Sequence, residues 1–207
     1  MLQTPAGPVR VYIDPCVYEP AEDSMLAIEA ALDLARSTGV KPRLLLDAGS
    51  GSGIIGAALA GFFDSFTVAV DINPRAVLAS ARTLGSRGVA LGCYWASCLS
   101  GAFDLGVLNP PYLPVRDVDR ECPYLPLAWG AEPAELERAC NSVSNVSRGV
   151  VVVYSSLSGW SPIPCLERLG FEVIVSREES FFMERLRAVG AWRFSWDGEA
   201  PSGTGRG

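Results

Sequence analysis

A chain of 207 residues, 49% hydrophobic and 19% charged, is long enough to bury a core without staples and too apolar in composition to be disordered. Its formal charge of −6 disfavours non-specific attachment to a phosphate backbone, and the absence of histidine excludes imidazole bases and histidine-dependent triads. No apolar run approaches the roughly 20 residues that span a bilayer.

The opening stretch, "MLQTPAGPVRVYID", lacks the basic start and apolar centre of a secretory signal. Residues 19–39, "EPAEDSMLAIEAALDLARSTG", carry a proline and acids at the start and a glycine at the end, so they predict an amphipathic helix. "RLLLDAGS" predicts a buried strand, "GIIGAALAGFF" a tightly packed helix, and "FTVAVD" a second strand. "NPRAVLASARTLGSRG" predicts a helix entered through Pro74, and "VALGCYW" (Val89 to Trp95) and "FDLGVLN" two more strands. Pro114 to Gly130 has no regular period and predicts a long ordered loop, a feature that is usually functional. "PAELERACNSV" and "PIPCLERLG" predict helices around the strand "GVVVVYSS", and "FEVIVSR" with "FFMERLRAV" a closing hairpin around Glu178–Glu179. The alternation predicts an α/β, doubly wound sheet in one domain over residues 1–197, with a disordered tail over 198–207.

Cys16, Cys93, Cys98, Cys122, Cys140 and Cys165 form no C-x-x-C pair, and without histidine they predict no metal site. Most of these thiols are read as small buried hydrophobes in a reducing cytoplasm, with a disulfide left open.

Two stretches carry chemistry. In "LLLDAGSGSGIIG" the spacing Gly51-x-Gly53-x-x-Gly56 matches a loop that brings backbone close to a nucleotide, and Asp71 ends the next strand, where a carboxylate can accept both ribose hydroxyls. Asp47, just before the glycines, would repel a pyrophosphate but could hold the cationic methionine moiety of S-adenosylmethionine. The capping position of the following helix falls to Asn73, which leaves Asp71 for the ribose. The second stretch is Asn109-Pro110-Pro111-Tyr112. The prolines cannot continue a ladder or a helix, so the four residues are held at a strand tip. A conjugated nitrogen is a poor nucleophile because its lone pair is delocalised. The Asn109 side-chain carbonyl and the Pro110 backbone carbonyl can accept its two N–H groups, and Tyr112 can stack on the flat acceptor.

From "VYEPAEDS" through "FFMERL", about Val17 to Leu186, the chain resembles the archaeal and eukaryotic branch of the HemK-type release-factor glutamine methyltransferases. The resemblance implies a class I, Rossmann-like methyltransferase sheet of seven mostly parallel strands with helices on both faces. It implies S-adenosylmethionine as donor and the GGQ glutamine of a translation termination factor as acceptor. Cofactor roles are implied for Ser24, Asp47, Gly49, Asp71 and Asn109, beside Gly51 of the glycine loop. Members place an Asp-Leu pair against the adenine, where this chain has Cys98-Leu99. The acceptor side takes Asn109, Pro110, Pro111, Tyr112 and Leu113. The bacterial branch adds an N-terminal helical domain for which this chain has no room. Relatives in this branch work as heterodimers with a small zinc-binding activator subunit, implied here on the Val89–Trp95 edge, where apolar side chains stand on both faces. Methylation of a nucleobase amine, methylation of a protein lysine, and a decayed cofactor-binding scaffold stay open as alternatives.

Overall fold

The computed structural model describes residues 1–112, 122–124, 127 and 132–195. The chain begins with β1 (Leu2–Thr4) and β2 (Gly7–Val9), a small hairpin that the sequence pattern does not announce. Then follow α1 (Glu22–Thr38), β3 (Leu44–Ala48), α2 (Ile54–Phe63), β4 (Phe66–Asp71), α3 (Pro74–Leu84), β5 (Gly88–Gly92) and β6 (Phe103–Leu108). The second half contains α4 (Pro133–Val146), β7 (Ser147–Ser155), α5 (Ile163–Arg168), β8 (Glu172–Ser180) and β9 (Arg185–Trp192).

Seven strands form one sheet in the order β5-β4-β3-β6-β7-β9-β8, and only β9 runs against its neighbours. Helical crossovers leave the early strands parallel, whereas the short turn between β8 and β9 forces an antiparallel pair. From β3 the chain moves outward to β4 and β5 and then returns to β6 on the other side. That reversal opens a crevice at the carboxyl ends of β3 and β6, where ligands bind in open α/β sheets.

Strand alternation feeds two cores. Leu45, Leu105, Val107, Val151 and Val153 face α1 and α2, while Leu46, Leu108, Val150 and Val152 face α4 and α5. Gly56 lets α2 lie close on the sheet: a Cβ there would sit 2.7 Å from Thr67 Cγ2 and 2.9 Å from Asp47 Oδ2.

Three expectations shift. The strand predicted over Val89–Trp95 ends at Gly92, because Trp95 takes a left-handed φ of 50° and Cys93 is covalently tied to Cys98 across the turn. The closing hairpin does not turn at Glu178–Glu179. Both acids lie in β8, where Glu178 pairs across the ladder with Arg187 at 2.6 Å, and the turn is Phe181–Glu184. Four of the six cysteines are not thiols: disulfides join Cys16 to Cys122 and Cys93 to Cys98, leaving Cys140 and Cys165 free and buried. The partners in the first pair are 106 residues apart, so nothing local in the sequence announces it. Most of the loop predicted over Pro114–Gly130, and the tail from Gly198, lie outside the described residues. Among the described residues no helix is long and apolar enough to cross a membrane.

Candidate active site

A cleft of about 460 Å³ opens over the carboxyl ends of β3, β4 and β6. Its floor is the glycine loop, fastened to the end of β4. Gly49 N and Ser50 N both donate to Val70 O, and Gly51 N donates to Asp71 Oδ2 at 2.9 Å. Ser80 from α3 holds the same loop, donating to Gly51 O at 2.9 Å. The other Asp71 oxygen accepts from Asn73 N, and Asn73 caps α3 by accepting from Arg75 N. Burial raises the Asp71 carboxyl, and the Asn73 and Gly51 N–H groups oppose that rise. Asp71 lines the cleft while its carboxylate is fixed from behind.

One wall comes from the start of α1. Asp23 is almost fully buried; its Oδ1 accepts from Ser24 N at 2.6 Å and its Oδ2 accepts from the Tyr112 hydroxyl at 3.1 Å. Burial, then the charge of Asp23, raise the hydroxyls of both Tyr112 and Tyr18, so both stay neutral donors. Asn109, Pro110, Pro111 and Tyr112 line the cleft as a group. Among the described residues Asn109 Oδ1 is buried with no hydrogen-bond partner. A buried carbonyl of that kind costs free energy unless something arrives to donate to it.

The opposite wall is the turn after β5. Tyr94 OH and Trp95 Nε1 both donate to Glu135 Oε1 on α4, and Arg138 holds the other Glu135 oxygen at 2.8 Å. The Trp95 ring lies over Gly49: a Cβ there would be 3.1 Å from Trp95 Cζ3, and φ of +70° also favours glycine.

Of the residues singled out in the sequence, Ser24, Gly49, Gly51, Asp71, Asn109, Pro110, Pro111 and Tyr112 converge on this cleft. Asp47 does not line it. Its buried carboxylate points under the loop and accepts from Gly56 N at 2.9 Å, because α2 starts directly over the end of β3. Cys98 and Leu99 do not reach it either: β5 ends early, so Cys93, Tyr94 and Trp95 occupy that wall, and Cys98 is the exposed half of a disulfide. Leu113 lies outside the described residues. Sequence reasoning missed Tyr18, Asp23, Trp95 and Glu135. Asp23 carried a signal, an acid in the first turn of a helix directly before Ser24; Glu135 carried none, since 40 residues separate it from Trp95.

Asp47 gives the site a pH signature. Burial pushes its carboxyl up to about 7, the Gly56 N–H opposing and the Asp71 charge adding. An unfolded aspartate titrates near pH 4, so between about pH 4 and 7 the folded chain binds the extra proton and the Asp47 contribution to stability falls as pH rises. Asp47→Asn keeps an oxygen for Gly56 N and cannot ionise. Urea unfolding of both proteins should therefore show wild type losing ground to the variant across that window and running parallel above it. Parallel curves throughout would contradict the buried, raised carboxyl.

A cleft of this size at the switch point, with a glycine loop below and a strand-end carboxylate beside it, has the parts that a nucleoside cofactor needs. Residues 30–121 match the family model for the methyltransferase small domain. A Methanocaldococcus jannaschii protein provisionally named as a protein N5-glutamine methyltransferase is 33% identical over 195 residues, covering 89% of this chain and 96% of that relative. The release factor glutamine methyltransferase of Rhodospirillum rubrum is 39% identical over 106 residues, covering 48% of this chain and 32% of that relative. The magnesium protoporphyrin IX methyltransferase of Synechocystis, solved with S-adenosylmethionine, shares the fold at a TM-score of 0.59 and 16% identity, over 85% of this chain and 86% of that one. The protein is a class I S-adenosylmethionine-dependent N-methyltransferase. It belongs to the HemK-type glutamine methyltransferase family.

Proposed function

We propose that the protein methylates the side-chain amide of a glutamine in a translation termination factor, and that it does so in the cytoplasm, where termination occurs. The observation that carries this reading is the buried Asn109 Oδ1 at the end of β6, without a hydrogen-bond partner among the described residues and beside two prolines that bring no competing N–H. S-adenosylmethionine, when bound, supplies an electrophilic methyl group on its sulfonium. What the chain supplies is orientation and electrostatics. Asn109 Oδ1 and the Pro110 carbonyl accept the two N–H groups of the acceptor amide and draw its nitrogen toward a tetrahedral shape. Tyr112, braced on Asp23, stacks on the flat amide. The methylated nitrogen becomes acidic and loses its proton to water, so a chain without histidine needs no dedicated base.

On the cofactor side, Asp71 accepts the ribose hydroxyls while Gly49, Gly51 and Ser24 shape the pocket for the methionine end. Asp47 acts one layer below, as the brace of the loop. The adenine side falls to Cys93, Tyr94 and Trp95. The name of the Rhodospirillum relative supports a termination factor as substrate. The exposed Val89 and Leu91 of β5, at the open edge of the sheet, support strand addition by a small zinc-binding activator subunit there.

Asp71→Ala should lose about 1.5–3 kcal/mol of S-adenosylmethionine affinity, the range for removing a charged bidentate acceptor. Calorimetric titration of both proteins measures it, and equal affinities would move the ribose elsewhere. The nature of the acceptor is read from the product. Acid hydrolysis of a labelled N-methylglutamine liberates methylamine, which is volatile from alkali. A methylated lysine survives hydrolysis as an amino acid, and a methylated base travels with the nucleic acid. Non-volatile label in the substrate would overturn the glutamine reading.

A further inference from the structure

The turn joining β8 to β9 exposes three large apolar residues in succession. Phe182 is fully exposed at 100%, Met183 at 79% and Phe181 at 45%, and the turn is closed by Phe181 N donating to Glu184 O at 2.8 Å. Exposing two phenylalanines and a methionine at a hairpin tip gains nothing for folding, because no part of the described chain covers them.

The position of the tip gives it a purpose. β9 pairs with β7 so that Leu186 lies opposite Ser155, and the start of β9 is clamped to the end of β7 by Ser156 N donating to Arg185 O and Arg185 N donating to Ser156 Oγ, both at 2.9 Å. β7 is also the parallel neighbour of β6. The hairpin tip therefore stands on the same rim of the sheet as Asn109, with Leu157, itself 49% exposed, beside it. The last residue of the turn lies within electrostatic reach of the acceptor end: burial, then Asp23 and Tyr18, raise the Tyr112 hydroxyl, and the charge of Glu184 adds to that rise. Glu184 Oε1 is buried and has no hydrogen-bond partner among the described residues.

We infer that Phe181–Glu184 is the docking element for the polypeptide that carries the acceptor glutamine. Phe182 and Met183 seat an apolar side chain of the substrate, and Glu184 accepts from a backbone N–H or a basic side chain next to the acceptor. This rests on the glutamine-methylation reading above. Charge complementarity selects the occupant. Among the described residues, Asp23, Asp71, Glu132 and Glu135 line the cleft, and the one lining cation, Arg138, is already paired with Glu135. An acidic mouth with an apolar finger fits a basic polypeptide and repels a phosphate backbone. Methionine and phenylalanine adapt to irregular surfaces, so the tip can anchor a loop that carries no regular structure.

The test is steady-state methyl transfer onto intact recombinant release factor by the full chain, by Phe182→Asp/Met183→Asp and by Glu184→Gln. Phe182 and Met183 are exposed, and Glu184→Gln keeps the size of a half-buried side chain that bonds to nothing in the described chain, so both variants should keep the wild-type melting temperature and S-adenosylmethionine affinity. KM for release factor should rise by about tenfold or more in each, with kcat changed less than twofold, as for loss of an exposed anchor. Wild-type KM in both variants, with wild-type turnover, would overturn the docking role and leave the glutamine reading intact. Failure of the wild-type chain to methylate release factor would overturn the glutamine reading, and the docking proposal with it. Sedimentation that shows a dimer of the wild type dissolved by the apolar double substitution would assign the tip to a second copy of the chain and also overturn the proposal.

Discussion

Asn109→Ala should fold, retain some S-adenosylmethionine binding and lose methyl transfer by a factor of about 10² to 10³, the cost of removing one acceptor aimed at a reacting centre. The fold is expected to survive because Asn109 lies beyond the last ladder residue of β6, and its side-chain oxygen bonds to nothing in the described chain. Truncation therefore removes no internal contact of that atom and relieves an unpaired buried carbonyl. With cofactor saturating, the loss falls on the chemical step, where the acceptor N–H groups need fixed partners. Single-turnover transfer with saturating cofactor isolates that step from product release. A drop of less than tenfold would mean that the amide clamp contributes under 1.4 kcal/mol, and another group would have to hold the acceptor.

Breaking the Cys16–Cys122 bridge should cost about 2–5 kcal/mol of stability. The two cysteines are 106 residues apart. Closing a loop of about 100 residues removes up to about 4.7 kcal/mol of chain entropy from the unfolded state, and measured losses on removing native bridges run about 2–5 kcal/mol. The bridge also secures the N-terminal strap at the mouth of the cleft. Asn73 Nδ2 donates to Cys16 O at 2.9 Å, Arg75 pairs with Asp14, and the next residues, Val17 and Tyr18, line the cleft together with Tyr124. Urea unfolding without reductant should show the Cys16→Ser/Cys122→Ser variant about 2–4 kcal/mol less stable than the oxidised wild type, with Cys93–Cys98 intact in both. Coincident curves for wild type and variant would contradict a bridge that constrains the unfolded chain.

The parts of the fold legible in the sequence were those written in local terms. α1 lies inside the stretch marked by Pro20 and Gly39, and Gly39 does close it, in the left-handed conformation with φ of 69°. Asn73 takes the capping position that left Asp71 free to face the cleft. Parallel strands appear wherever helical periods separate β-branched runs. The misreadings concern interactions that cross strands or are distant, or, in one case, a short covalent tie that no spacing rule marks. Glu178–Glu179 looked like a turn because two acids interrupt an apolar pattern, yet the charge of Glu178 is neutralised by Arg187 on the facing strand. Val89–Trp95 looked like one strand because its apolar run continues past Gly92, whereas a disulfide and a left-handed Trp95 bend it into the cleft wall. The same bend places Cys93, Tyr94 and Trp95 on the cleft wall, while Cys98 and Leu99, the pair implied by the family resemblance, do not line it. Asp47 was legible as a carboxylate beside the glycine loop but not as its underside, because only the register of α2 on β3 and β4 turns it toward Gly56 N. The Asp23–Tyr112 contact joins residues 89 apart in sequence, and no spacing rule reveals it.

The central claim is that the nitrogen held by Asn109 and Pro110 belongs to a glutamine side chain. The most direct measurement is transfer of tritiated methyl from S-adenosylmethionine to recombinant release factor, run in parallel with a factor whose GGQ glutamine is replaced by alanine. Label incorporated into the first protein and absent from the second is the expected result. Equal labelling of both would contradict the account, because the methyl group would then be going to another residue.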